Sequence, residues 1–193
     1  MNKAILDYVA RYITLTPAEE EYFISILKHR TYLKRQFLVQ AGDECKYESY
    51  VVKGCLRAYF VEPDGTPHII QFAIEDWWIS DMASLFAGGP STYNIDAVED
   101  TEVIQIERKN LNALFDKVPK FDRMFRIMLT KAFIAHQQRT IDNLCMPAKD
   151  RYQAFIKRYR NIEQRVPQHQ IASYLGMTPE FLSQLRKKMA ERG

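Results

Sequence analysis

The side chains whose types and spacing speak most directly to chemistry lie near the C-terminus, from Gln168 to Leu185, in the run QHQIASYLGMTPEFLSQL. Ala172 and Gly176 stand four apart, and Ile171, Leu175, Met177, Leu182 and Leu185 are apolar at helical spacing. Two short helices that cross closely need a small residue at the crossing and a turn residue that tolerates positive φ. The spacing therefore predicts a helix-turn-helix, with Ile171, Ala172, Leu175, Gly176, Leu182 and Leu185 as its structural positions. Thr178 is placed to cap the second helix and Pro179 to open it. At about 100° per residue, Leu182, Leu185 and Met189 mark the buried side, while Glu180, Gln184 and Lys187 point away with Ser183 beside them. These residue types read base edges: Gln pairs twice with adenine, Glu accepts from the cytosine amino group, and Lys reaches guanine or a phosphate. Arg186, Lys188 and Arg192 lie off centre and suit phosphate contacts, as do the backbone N–H groups near Thr178. A plain helical hairpin would share the apolar positions and leave these charges as solvated surface.

The charge balance supports the first of these alternatives. The 193 residues carry a formal net charge of +3, which by itself names no partner. Divided near Leu144, it becomes 17 Lys+Arg against 20 Asp+Glu before the division, a net of −3, and 10 against 4 after it, a net of +6. An acidic body with a basic last quarter points to a polyanion as the partner of the smaller piece. With 47% hydrophobic and 12% aromatic residues the chain can bury a core without staples. Cys45, Cys55 and Cys145 form no CxxC, so no disulfide framework, metal site or cofactor is expected, and each is expected to pack in a reducing cytoplasm. Asp7 and Arg11 interrupt the apolar residues of the N-terminus, which argues against a secretory leader. No apolar stretch is long enough to span a membrane.

The elements that must position the motif follow from periodicity. Ile5, Leu6, Val9 and Ile13 fall at helical spacing, and Thr16-Pro17-Ala18-Glu19 carries a capping box and first-turn proline for a second helix through Tyr22, Phe23, Ile26 and Leu27. From about Thr31 short apolar runs alternate with turn residues: Phe37–Val39, Gly42-Asp43, Tyr50–Val52, Leu56–Val61, Pro63-Asp64-Gly65, Ile69–Ala73, Tyr93–Val98 and Val103–Ile106. Many short strands at this spacing predict an antiparallel roll, with strand character ending near Arg108. From Pro119 to about Leu144 the pattern is helical, and Phe121, Phe125, Met128, Ala132 and Ala135 share a broad face. Ile127, Phe133, Ile134 and Ile141 make this helix apolar on further sides, which predicts burial against the roll and against a second copy of the chain. Met146-Pro147 ends it, and an amphipathic helix with Tyr152, Phe155, Ile156 and Tyr159 leads into the motif.

A short helical start, a roll with Gly42-Asp43 and Val51-Val52-Lys53-Gly54, a long helix, and Ile171–Gly176 followed by Thr178-Pro179-Glu180 together resemble the Crp/Fnr family over nearly the whole chain. The resemblance implies an α+β fold. Residues 1–117 would form a cyclic-nucleotide-binding-like antiparallel β-roll (a double-stranded β-helix), 118–144 a dimerisation helix, and 145–193 a winged-helix-like helix-turn-helix domain. It implies a homodimeric bacterial transcription regulator, cytoplasmic and without enzymatic activity, on a roughly palindromic double-stranded DNA site, with RNA polymerase as a further partner. Members that bind cyclic AMP hold its phosphate with an Arg in an Arg-Ser/Thr-Ala run and with an upstream Glu. Here the corresponding run is Ser91-Thr92-Tyr93, and Asp81 stands upstream. No Lys, Arg or His lies between His68 and Arg108, whereas eight acids do. Carboxylates without a cation repel a buried phosphate, so tight cyclic AMP binding is not expected. Trp77 and Trp78, with Asp81, Ser91 and Thr92, are the candidate lining of a pocket for some other small effector.

Departures and rivals bound this reading. The reading helix has Pro179 and Gln184 where the family often has Arg, so its target should differ, and the residues after Met189 leave no room for a β-wing. An iron–sulfur sensor needs cysteines before Cys45, and one roll histidine, His68, makes a poor case for haem. An enzyme is disfavoured because His29, His68, His136 and His169 are scattered, and no nucleophile elbow, phosphate loop or HExxH is present. A regulator gated by a cyclic nucleotide or another small ligand and a non-DNA-binding interaction module remain the alternatives.

Overall fold

The computed structural model describes residues 2–159 and 161–191. Two helices open the chain, α1 (Lys3–Ala10) and α2 (Pro17–Ser25). The capping box is formed: the Thr16 hydroxyl accepts the Glu19 N–H at 3.3 Å, and Glu19 Oε2 accepts the Thr16 N–H at 2.7 Å. Helix α2 stops short of Leu27, contrary to the helical reading. Leu27 instead opens β1 (Leu27–Tyr32), whose ladder to the last strand begins at Leu27↔Ile106. The backbone pairing outweighs the local helical spacing of Phe23, Ile26 and Leu27.

The roll continues through β2 (Phe37–Val39), β3 (Tyr47–Lys53), β4 (Leu56–Val61), β5 (Pro67–Ala73), β6 (Trp78–Ile79), β7 (Asn94–Ala97) and β8 (Thr101–Glu107). Two four-stranded antiparallel sheets result, in the orders β1-β8-β3-β6 and β2-β7-β4-β5. Alternation does the sorting. On β4, Leu56 and Ala58 enter the roll interior with Val51, Ala73, Ile79, Ile95 and Val103, while Arg57 and Tyr59 face the other way. The β3–β4 turn depends on Gly54, at φ 104°, because a Cβ there would lie 2.7 Å from Thr101 Cα and 2.8 Å from the Asp100 carbonyl oxygen. A π-helical turn, Ala83–Ala87, follows β6.

Strand character ends at Glu107, but the next residues are helical, which the sequence pattern did not reveal: α3 spans Arg108–Lys117 and buries Leu111 and Leu114. Helix α4 then runs from Lys120 to Cys145. Its first turns close the core formed by Ile5, Val9, Phe23, Tyr50, Ile104 and Ile106. Beyond these turns the expectation of burial on most sides fails within one chain. Phe133 is 63% exposed, Ile134 57% and Leu144 80%, because no other element of the chain covers them. Cys45 and Cys55 pack as expected, and burial pushes the Cys55 thiol up to about 12, but Cys145 is exposed.

All regular structure described after Cys145 is helical: α5 (Ala148–Arg158), α6 (Ile162–Arg165), α7 (Gln168–Leu175) and α8 (Pro179–Ala190). These helices do not stand apart. Tyr152, Phe155, Tyr159, Ile171, Tyr174 and Leu175 share one continuous core with Cys55, Tyr59, Ile69, Phe72 and Val98 of the roll. Among the described residues no helix is long and apolar enough to cross a membrane.

Candidate nucleic-acid interface

The turn between α7 and α8 is built by three residues. Gly176 takes the left-handed conformation, φ 64°, that ends α7. The Thr178 hydroxyl accepts the Phe181 N–H at 3.2 Å, and Pro179 occupies the first turn of α8. Ile171, Ala172, Leu175 and Leu182 are buried and Leu185 is partly buried against the same core, so five of the six structural positions lie where the two helices meet their support, and the sixth, Gly176, is exposed at the turn. Glu180, Ser183, Gln184, Lys187 and Lys188 are exposed along α8, with Thr178 and Pro179 exposed at its start. The structure thus brings these residues together on one helix face.

Arg186 stands apart from them. Its guanidinium reaches Glu163 at 3.2 Å and donates to Gln168 Oε1 at 3.4 Å, so it is partly buried as a brace between helices. Lys187 and Lys188 make no ion pair among the described residues, which leaves them as the unpaired cations of this face. Arg192 lies outside the described residues.

What holds α8 in place was not visible in the motif. The Ser173 hydroxyl donates to the Pro67 carbonyl at 3.0 Å and accepts the Ile69 N–H at 3.0 Å, pinning α7 to β5. Arg139, from α4, donates to the carbonyls of Ile69, Ile70 and Tyr174 and lies over the Tyr174 ring. Arg165 donates to Glu75 at 2.8 and 2.9 Å and to Glu99 at 2.6 and 2.9 Å. Burial alone would raise the Glu75 carboxyl, but the hydrogen bonds from Arg165, those from the backbone N–H groups of Glu75 and Gly54, and the guanidinium charge together outweigh it and hold the group below the usual carboxylate range. Two of the eight acids of the roll therefore bind the C-terminal helices.

Of the other six, Asp76, Asp81, Asp96, Asp100 and Glu107 are also occupied, while Glu102 is exposed. Asp96 makes a two-pronged pair with Arg57 at 2.7 and 2.8 Å, and Asp76 meets Arg11 at 2.6 Å. Glu107 pairs with Lys28 at 2.7 Å, and Asp100 accepts the Lys34 N–H at 2.8 Å. The picture of an unneutralised acidic field is thus corrected for five of the eight, Glu75, Asp76, Asp96, Glu99 and Glu107, to which cations from outside the segment supply partners. One such cation, Arg108, donates to the Phe86 carbonyl at 2.9 Å on the turn that follows Asp81.

The five candidate pocket residues fall in two places, which separates a group that the sequence reading kept together. Asp81 is buried, and its Oδ1 accepts the N–H groups of Ala83 and Ser84 at 3.0 and 3.1 Å. Its Oδ2 accepts the Ser91 hydroxyl at 2.6 Å. Both residues are consumed by each other, and Thr92 is exposed beside them. Trp77 and Trp78 instead line a cleft of about 590 Å³ between the roll, α1, α4, α5 and α7. Of the five residues assigned to a dimer face, Phe121 and Phe125 are buried in the chain's own core and so are unavailable to a second copy. Met128, Ala132 and Ala135 border the cleft. The free apolar surface of α4 is carried by Leu129, Phe133, Ile134, Ile141 and Leu144, of which Leu129 and Phe133 also border the cleft. His68, the one roll histidine weighed for haem, is half-exposed with Nε2 3.0 Å from Glu62.

Comparison with known proteins agrees with this arrangement. Residues 29–118 match the cyclic nucleotide-binding domain family. Over 192 residues the chain is 24% identical to the anaerobic regulatory protein of Aggregatibacter actinomycetemcomitans, covering 93% of this chain and 74% of that one. Among solved structures, the c-di-GMP responsive global regulator CLP of Xanthomonas campestris shares the fold with a TM-score of 0.71 at 18% identity, over 92% of this chain and 93% of that one. A protein of Eubacterium rectale described as a Crp/Fnr-family transcriptional regulator does so with a TM-score of 0.71 at 16% identity, over 95% and 89%. Residues 29–118 thus belong to the cyclic nucleotide-binding domain family, and the chain, with its helix-turn-helix, is similar along nearly its full length to anaerobic regulatory proteins.

Proposed function

We propose that the chain is a homodimeric transcription regulator that reads double-stranded DNA with α8. The observation that carries this is the division of α8 into a buried side, led by Leu182, and a free side presenting Glu180, Ser183, Gln184, Lys187 and Lys188, in a segment of net charge +6. Gln184 and Glu180 have the donors and acceptors for base edges, and Lys187 and Lys188 have the charge for phosphates. In this reading residues 1–117 sense, 118–144 dimerise and 145–193 read.

The free apolar side of α4 supports dimerisation. Phe133, Ile134, Ile141 and Leu144 are each more than half exposed in the single chain, and a helix with this much unpaired apolar surface gains by burying it against its own copy. Two recognition helices held in this way would suit a palindromic site one DNA turn apart. The Asp81–Ser91 turn supports independence from cyclic AMP, since both side chains are satisfied by each other and no guanidinium enters from within the segment.

The deciding experiment is binding to pooled promoter fragments across a salt series. Affinity should fall steeply as salt rises, because lysines displace counterions from phosphates. A flat response would favour a protein-interaction module. Sedimentation at micromolar concentration should give a dimer, and a monomer would remove the α4 interface. Calorimetric titration with cyclic AMP should give no heat of tight binding, and micromolar affinity would overturn that point.

A further inference from the structure

The cleft that holds Trp77 and Trp78 carries chemistry that the reading of DNA does not use. Its volume of about 590 Å³ suits a small molecule of drug-like size. Its walls are largely aromatic. Trp77 is stacked on Tyr159 with ring centroids 5.1 Å apart at 29°, and Tyr8, Tyr12 and Tyr174 face the same space. Positive charge gathers at these rings: the Arg158 guanidinium lies 5.2 Å from the Trp77 centroid and Lys131 Nζ 4.9 Å from that of Tyr12.

The charges there do not cancel. Asp76 is spent on Arg11 and on the Tyr50 hydroxyl. Glu48, 4% exposed, accepts the Ser80 hydroxyl at 2.6 Å, and burial pushes its carboxyl up to about 7, so its negative charge is suppressed in mildly acidic solution. Arg139 is spent on three carbonyls. Arg158 and Lys131 have no carboxylate partner among the described residues. His136, at the cleft edge, is held below its ordinary range first by burial and then by repulsion from Arg139 and Arg158.

The cleft also survives the dimer proposed above. At about 100° per residue, Met128, Ala132, Ala135 and Arg139 lie on a face of α4 more than about 120° from the centre of the face formed by Phe133, Ile134, Ile141 and Leu144. A second copy seated on the latter covers Phe133 at the cleft rim and leaves the former open.

We propose that this cleft binds a flat aromatic anion, with its ring against the Trp77–Tyr159 stack and its carboxylate or phosphate met by Arg158, Lys131 being the second cation of the rim. Stacking on Trp and Tyr supplies orientation, and the guanidinium supplies selectivity for a planar acidic group. The walls come from the roll, α4, α5 and α7, so the ligand occupies the junction that orients α8. The binding step itself stands whether or not α8 reads DNA.

The chain has two tryptophans, and both line the cleft, so its indole fluorescence is a reporter of occupancy. Three nitroaromatic quenchers serve as probes for the full-length protein: 4-nitrobenzoate, 4-nitrophenyl phosphate and the neutral 4-nitrobenzyl alcohol. Saturable quenching by at least one anion is expected, at about tenfold lower Kd than the alcohol, one charge-assisted contact being worth about that much. The two anions decide between a carboxylate and a phosphate. Arg158→Gln, at an exposed position, should abolish most of the tenfold preference and leave the alcohol unchanged. Lys131→Gln should lower it to a lesser degree. Strictly linear, collisional quenching by all three probes would overturn the proposal. So would equal affinity for alcohol and anions, or a preference that survives both substitutions. Because no DNA is present, a failure of this test leaves the reading of α8 standing, and a failure of DNA binding leaves this test intact.

Discussion

Helices α7 and α8 are consecutive and meet across Gly176, yet they spend their polar residues in opposite ways. On α7, Ser173 is bonded twice to β5, the Tyr174 carbonyl accepts from Arg139, and Tyr174 packs on Phe72 at 5.6 Å. On α8, Glu180, Gln184, Lys187 and Lys188 meet solvent. The first helix is a bracket and the second a tool. A helix-turn-helix is usually described as one unit, but here its stability and its chemistry belong to different helices, and the orientation of the tool is set by the roll through the bracket.

Substitutions on the two sides should therefore differ in kind. The largest effect is expected at Phe72, buried among Phe155, Tyr159 and Tyr174. Phe72→Ala should cost about 3–5 kcal/mol in chemical denaturation, by loss of a ring from a close-packed core. It should weaken the roll and the C-terminal helices together. If only one of them melted earlier, the shared core would not be a cooperative unit.

Next comes Gln184→Ala, which should leave the denaturation midpoint unchanged and cost about 1–3 kcal/mol at one base position of the selected DNA site. An equal loss on every sequence would move Gln184 from base reading to backbone contact. Arg165→Met follows. It leaves Glu75 and Glu99 facing each other, and since both carboxylates are partly exposed the cost should be about 1–2 kcal/mol at neutral pH. The pH dependence gives the sign. The Glu75 carboxyl is lowered from 4.5 in the folded chain, so its pair contributes fully above that value and is lost as pH falls through the folded one. Arg165→Met should therefore shrink the drop in stability below about pH 4.5, and an unchanged acid limb would remove the clamp. The smallest effect is Lys188→Ala, which should weaken all DNA sequences alike and reduce the slope of log affinity against log salt by about 1.

The tool was legible in the sequence and most of the bracket was not, for a physical reason. Capping and turn chemistry act over three or four residues, so Thr16 with Glu19, Gly176, and Thr178 with Pro179 announce themselves locally. Six of the eight strands of the roll were equally open, because period-two alternation is local too, but β1 was hidden by the helical spacing that ran through Leu27. Helix α3 was hidden behind Arg108-Lys109-Asn110, with only Leu111 and Leu114 buried, and β6 is two residues long. The long-range partners are harder still. Arg165 lies 90 residues from Glu75 and 66 from Glu99, and no spacing rule joins them. Counting charge in sequence made the acids of the roll look like a repulsive field, whereas in space five of the eight meet a cation. The same holds for Trp77 and Trp78, whose neighbours in the cleft range from Tyr8 to Tyr174.

Arg139 has a consequence for how this chain can be rebuilt. One side chain on α4 grips the backbone of β5 and of α7 at once. Domain grafting assumes that a regulator can be cut at its hinge and its DNA reader exchanged for a relative's. Here a foreign reader would arrive without the Tyr174 ring on which the Arg139 guanidinium lies, and its backbone carbonyls would have to fall in register with those of β5 to complete the grip. Chimeras of this chain should be joined within the loops around the α7–α8 turn, so that α8 alone is replaced and its mount travels with the roll.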